Sequence, residues 1–79
     1  MSINVQGKNL DDAEYEVGKY LDDAYMAGLR EVTVIHGRGE GILKDGLRQL
    51  FRRHKHVASY RKGRYNEGGE GVTIVTLKE

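Results

Sequence analysis

Apolar residues recur along the chain with two alternating periods, and the changes of period divide it into six segments. Ile3-Asn4-Val5 alternates apolar and polar and stops at Gly7, which predicts a short first strand. Leu10, Ala13, Val17, Tyr20, Leu21 and Ala24 then return at three- and four-residue spacing, one apolar stripe along a helix. Asn9 suits its N-cap, with Asp12 at the third helical position, and Asp11 and Asp12 complement the positive end of the dipole. Gly28 with Leu29 beyond it suits its end. Val32-Thr33-Val34-Ile35 is β-branched on both faces and reads as a strand covered on at least one side and paired on both edges.

A second stripe at Leu43, Leu47, Leu50, Phe51 and His54 predicts a helix over residues 42–54. Gly46 inside it is disfavoured by about 1 kcal/mol relative to alanine, which close packing against the sheet would explain. Residues 57–61 form a third predicted strand and residues 72–77 a fourth, with a glycine-rich, charged loop from Lys62 to Glu70 between them. The order β-α-β-α-β-β implies parallel pairing through right-handed crossovers, with the last strand antiparallel. The expected fold is a two-layer α/β (α+β) sandwich of two helices on a four-stranded mixed sheet, with strand order open. No internal repeat or linker divides residues 1–79, so a single domain is expected.

Composition narrows this picture. A chain of 79 residues allows one modest core and a net stability of roughly a few kcal/mol. It contains neither cysteine nor proline, so no disulfide staples the domain, which fits a reducing compartment. No apolar run approaches the roughly 18–20 residues that span a bilayer. Met-Ser-Ile-Asn at the N-terminus lacks the basic and apolar regions of an export signal, so the cytoplasm is expected and no membrane partner.

The net charge of +1 conceals a segregation. Residues 1–45 carry nine acids and five Lys/Arg. Residues 46–66 carry Arg48, Arg52, Arg53, Lys55, Arg61, Lys62 and Arg64 and no acid. Residues 67–79 carry three acids and Lys78. A polyanion meets the local field, not the total.

Three features carry candidate chemistry. Strand, glycine loop and helix follow one another at residues 32–43, where Gly37, Gly39 and Gly41 permit a tight turn and present amides at a helix start, a natural seat for a phosphate. Gly37-x-Gly39-x-Gly41 is neither the dinucleotide G-x-G-x-x-G nor a P-loop, since Ile42 stands five residues after Gly37. The plainer alternative is glycines that only permit the turn.

His36 precedes this loop at the carboxyl end of a strand, where open α/β sheets present ligands; it could titrate, bind phosphate, or simply bond to backbone. Parallel pairing of the first two strands would bring Asn4 or Gln6 beside it, amides that position but take no proton. In the basic stretch, Arg48, Arg52 and Lys55 are placed on one face of the second helix, and Arg61, Lys62 and Arg64 lead into the loop with Tyr65 among them. Cations mixed with an aromatic suit phosphate contacts and base stacking, though a charge run also serves as a plain solvated face. Four such cations on duplex DNA would give a log K versus log salt slope of roughly −3.6. His54 and His56 invite a metal, but with no cysteine and no carboxylate expected nearby no structural zinc site is predicted.

Ile3-Asn4-Val5-Gln6-Gly7 before a helix, Val34-Ile35-His36-Gly37-Arg38-Gly39 before a second helix, and Glu67-Gly68-Gly69-Glu70-Gly71-Val72-Thr73-Ile74-Val75 together resemble the Smr (small MutS-related) domain family over nearly all of residues 3–78. The details are most similar to the domain that ends bacterial MutS type-two proteins. The resemblance implies a sandwich like the C-terminal domain of translation initiation factor three, DNA or RNA binding, and nicking endonuclease activity in many members. It implies that the chain is the C-terminal fragment of a larger ATPase acting in suppression of homologous recombination or rescue of collided ribosomes, which makes the ribosome a candidate partner.

His36, Gly37 and Gly39 match the family's His-Gly-x-Gly motif. Where the family commonly has an acid followed two residues later by Arg or His, this chain has Asn4 and Gln6. Losing such a general base often costs about 10²–10⁴-fold in proton transfer. On this reading His36 would act as acid/base or stabiliser, Arg38 would hold the scissile phosphate, and Asn4 and Gln6 would position it. No cofactor is expected in the domain, with assistance by a divalent metal left open. Nucleic-acid binding by the His36–Gly41 loop and the basic stretch is the leading reading, this nicking activity the second, and a protein-interaction domain using its basic face the third.

Overall fold

The Asn9 side-chain carbonyl accepts from the Asp12 amide at 2.8 Å, and α1 (Leu10–Met26) starts there. The helix closes where the Gly28 amide donates to the Tyr25 carbonyl and the Leu29 amide to Ala24, both at 3.0 Å, the paired bonds of a Schellman turn. Its apolar stripe is buried at Ala13, Val17, Leu21 and Ala24. The computed structural model of the chain describes residues 1–39 and 41–79; Glu40, within the predicted glycine loop, lies outside the described residues.

In α2 (Ile42–Arg53), Leu47 and Phe51 are the buried residues. Gly46 answers to α1 rather than to the sheet: a Cβ at this position would fall inside the Leu10 side chain. The helix-propensity cost of glycine is offset by the close crossing of two helices. The helix ends at Arg53 with His54 as its C-cap, so Lys55, expected on the helix face, lies beyond it.

The sheet has the order β1-β2-β4-β3. β1 (Ser2–Asn4) pairs in parallel with β2 (Glu31–Ile35). β4 (Val72–Leu77) runs antiparallel to both β2 and β3 (Val57–Lys62). The last strand thus fills the centre of the sheet rather than extending an edge. That explains why its residues are buried at five of six positions. β1 ends one residue before the predicted strand, although Val5 is fully buried and its amide still donates to the Ile35 carbonyl at 2.8 Å.

Val32 and Val34 stand opposite Val75 and Thr73, and with Leu77, Leu21, Leu47 and Phe51 the valines belong to one core between sheet and helices. The Phe51 ring lies against Tyr60 with centroids 5.7 Å apart.

Inserting β4 leaves β1, β2 and β3 pointing the same way. Asn4, Ile35 and Lys62 therefore end at one edge of the sheet, where β4 begins at Val72. The charged loop reaching this edge is ordered by its own acids in two 3₁₀ turns, Tyr65–Glu67 and Gly69–Gly71. Glu67 accepts from both Arg61 guanidinium nitrogens at 2.8 and 3.0 Å and from the Arg64 amide at 2.7 Å.

Candidate nucleic-acid interface

The carboxyl edge of the sheet opens into a cleft of about 210 Å³ bounded by the glycine corner, the first turn of α2, Lys8, Arg38 and Lys44. Gly37 and Gly41 have φ of 80° and 83°, left-handed conformations that residues with a Cβ rarely adopt. The amides of His36 and Gly37 both donate to the Gly71 carbonyl, at 3.1 and 2.9 Å. Gly37 therefore fixes the corner to the β3–β4 loop and does not present its amide to a ligand as the sequence suggested. What faces the cleft is the start of α2. Gly41 is its N-cap, no side chain among the described residues caps it, and the helical ladder begins only with Asp45 donating to Gly41 at 2.8 Å. The first-turn amides of Ile42, Leu43 and Lys44 precede that ladder. Asp45, exposed in the same turn, supplies part of the complement to the helix dipole.

His36 is 4% exposed. Its Nδ1 lies 2.7 Å from the Gly37 carbonyl and its Nε2 3.0 Å from the Thr73 hydroxyl. A carbonyl only accepts, so Nδ1 carries the proton; in the neutral ring Nε2 then accepts from Thr73. Burial pushes the imidazole below its ordinary value of 6.5, and Lys44 and Arg48 push the same way against the opposing bond to Gly37. The ring braces the corner in its neutral form, and proton transfer at Nε2 would require the Thr73 hydroxyl to let go.

Asn4 stands opposite Ile35 in the register, and Gln6 continues alongside the corner. The Asn4 Oδ1 accepts from the Gln6 amide at 2.9 Å, and its Nδ2 donates to the Gln6 Oε1 at 3.2 Å. The Gln6 side chain lies against Gly37, where a Cβ would stand 3.0 Å from Nε2. The expected neighbourhood is therefore present, with Gln6 closer to the corner than Asn4 is, and the two amides tied to each other.

The basic stretch does not act as one patch. Arg61 is bound by Glu67, and Lys62 donates to Glu70 at 2.9 Å. Downstream acids thus fold back onto a segment that carries none of its own. Arg61 sits above its ordinary value through the Glu67 hydrogen bonds, and Arg61 in turn holds Glu67 down to about 2. Arg52, at the far end of α2, is roughly 15 Å along the helix axis from Ile42, and Lys55 precedes β3 at the opposite edge of the sheet. Arg53 reaches Glu14 at 3.6 Å.

Arg38, Arg48 and Arg64 form no ion pair with the described residues, and Tyr65 is fully exposed on the loop. Arg48 acts on His36 through its charge, and its Nε is buried without a hydrogen-bond partner among the described residues.

Several residues of the site escaped the sequence. Thr73 and Gly71 lie in the closing glycine-rich strand motif, whose signal was visible but whose pairing with His36 depends on β4 entering the centre of the sheet. Lys8 and Lys44 lacked any pattern of their own. Asp22 brings its carboxylate to 3.2 Å from His54 Nε2 and 3.9 Å from His56 Nε2, so a carboxylate does stand beside the two histidines. His54 Nδ1 accepts from the His56 amide at 3.1 Å, which places the proton on Nε2 facing Asp22. Among the described residues no helix is long and apolar enough to cross a membrane.

The model of the Smr domain family matches residues 3–78. The protein named endonuclease MutS2 in Caldicellulosiruptor bescii is 60% identical over 79 residues, covering 100% of this chain and 10% of its own length. That of Clostridioides difficile is 60% identical over 76 residues, again covering 10% of its length. The chain thus spans about a tenth of the length of these curated relatives. The crystal structure of the Smr domain of Thermus thermophilus MutS2 superposes with a TM-score of 0.96 at 35% identity, covering 99% of this chain and 98% of that one. YdaL, a stand-alone small MutS-related protein from Escherichia coli, shares the fold at a TM-score of 0.93 and 24% identity, over 99% of this chain and 64% of its own. With the family model matched from residue 3 to residue 78 and the fold superposed over 99% of its length, this chain belongs to the Smr domain family.

Proposed function

We propose that the domain binds the sugar-phosphate backbone of DNA or RNA in the cleft at the carboxyl edge of its sheet. One observation carries this reading: the first turn of α2, which no side chain among the described residues caps, opens into a cleft bordered by Lys8, Arg38 and Lys44. Unspent helix amides and a positive dipole end favour an anion, and backbone phosphates supply anions without regard to sequence. Tyr65, fully exposed on a turn that Glu67 holds in place, offers a face for an unpaired base. Within a longer parent chain the module would supply contact with DNA during recombination or with RNA on the ribosome.

Arg38 lines the cleft, Arg48 acts on His36 through its charge and Arg64 follows the end of β3, and none of the three has an ion-pair partner among the described residues. In fluorescence anisotropy the affinity for an oligonucleotide should fall with a log–log salt slope of roughly −2.7 on duplex DNA and about −2 on single strands. This is shallower than the roughly −3.6 that four cations would give. A slope near zero contradicts the proposal.

Cleavage is a second reading, favoured by the endonuclease name of the relatives. Against it, none of the described residues lining the cleft is Asp or Glu, Asn4 and Gln6 bond to each other, and both His36 ring nitrogens are engaged. Nicking of supercoiled plasmid that disappears in Arg38→Gln would establish it. Equal nicking by both proteins would point to a contaminant.

A further inference from the structure

Glu70 links α2 and β3 through its side chain. Its carboxylate accepts from Lys44, in the first turn of α2, at 2.7 Å, and from Lys62, at the end of β3, at 2.9 Å. Each lysine takes a different oxygen. The side chains of Lys44, Glu70 and Lys62 are 23%, 48% and 63% exposed, so the acid lies outside Lys44 and is open to solvent. The backbone beside it is held, because the Gly71 carbonyl receives the amides of His36 and Gly37. The Glu70 side chain can therefore leave without the loop moving.

We propose that Lys44 and Lys62 form a subsite for a nucleic-acid backbone phosphate and that Glu70 occupies it in the free domain, to be displaced when the strand binds. A carboxylate and a phosphodiester each offer two terminal oxygens that share one negative charge, so the same two ammonium groups serve either in turn. The two lysines hold the Glu70 carboxyl down to about 2, so it remains charged at neutral pH and an effective competitor. The cleft already contains Lys44, which makes the subsite continuous with the start of α2. A strand seated there would extend from the glycine corner toward Tyr65. This inference rests on the nucleic-acid reading above. It adds that the domain limits its own affinity, so that weak or isolated anions do not outcompete Glu70 whereas a polyanion does.

The test is Glu70→Gln, which keeps the shape and removes the charge, with binding measured against an oligothymidylate of about 12 nucleotides. The variant should bind roughly three- to tenfold more tightly, with a salt slope steeper by about 0.7 to 1.4. Adding Lys62→Gln to the variant should return the slope toward that of the wild type. In the unaltered protein, the Glu70 carboxyl carbon should change its NMR shift when the oligonucleotide saturates the domain, a readout that does not depend on how the variant folds. Binding by the wild type with no gain in Glu70→Gln and no shift at Glu70 would overturn this inference and leave the nucleic-acid reading intact. No binding by either protein would remove both.

Discussion

Replacing Arg38, Arg48 and Arg64 together by glutamine should lower oligonucleotide affinity by about two orders of magnitude at 0.1 M salt, with little effect on folding. Each phosphate contact releases a counterion and contributes about 0.7 to 0.9 to the log–log slope, or roughly five- to eightfold at that salt. Three contacts then multiply to about 10²-fold or somewhat more. The three side chains have no carboxylate partner among the described residues, so no ion pair is broken by their removal. The companion variant Arg52→Gln with Lys55→Gln removes two charges instead of three, from the far end of α2 and the opposite edge of the sheet. It should change affinity by less than about threefold, the remnant of a screened long-range field. If the two variants lose affinity equally, the basic stretch acts through its total charge and the cleft has no special role.

Replacing His36 by alanine should lower stability by about 2–4 kcal/mol, because it leaves a cavity, removes two hydrogen bonds and orphans a buried threonine hydroxyl. Thr73 is only 1% exposed and would face an empty space. In a domain of this size each kcal/mol shifts Tm by roughly 4–8 °C, so thermal unfolding should move down by about 10–25 °C. Glutamine, which can donate to the Gly37 carbonyl and accept from Thr73, should recover part of the loss.

The pH dependence separates this role from others. Burial lowers the His36 value in the folded state below the ordinary 6.5. The unfolded chain therefore takes up a proton first on acidification. The contribution of His36 is fully present above 6.5 and is lost as the pH falls toward the lowered folded value. The Tm difference between wild type and His36→Ala should accordingly narrow between about pH 7.5 and about pH 5.5. Glu67 and Glu70 act in a separate window. Both are held down to about 2, so their contribution is present above 4.5 and lost only as the pH approaches about 2. A difference that stays constant to below pH 5 would mean that His36 is not held neutral by the fold.

The periodic parts of the chain were legible, and the physical reason is local. Asn9, Gly28 and the stripe from Leu10 to Ala24 bounded α1 because caps and an apolar face act within a few residues. The mixed sheet and two helices followed from the change of period. The strand order did not. Placing β4 between β2 and β3 depends on long-range pairings such as Val34 with Thr73 and Tyr60 with Val75, and no local pattern encodes them.

The same limit applied at the site. His36 and the glycines stood out, whereas Thr73, 37 residues later, became the partner of the imidazole only through that insertion. Gly46 stands out in the sequence, yet its reason is Leu10 on another helix rather than the sheet expected to pack there. The basic stretch was overcounted for a related reason. Glu67 and Glu70 lie outside the acid-free segment in sequence and on top of it in space.

The central claim is that the first turn of α2 and the glycine corner seat a backbone phosphate. Titrating the isotopically labelled domain with short oligonucleotides at low salt, and following every backbone amide by NMR, tests it most directly. The largest shifts are expected at Arg38, Gly39 and Gly41 through Lys44, with the amides of residues 52–56 nearly still. Largest shifts at residues 52–56, with the glycine corner unmoved, would contradict it.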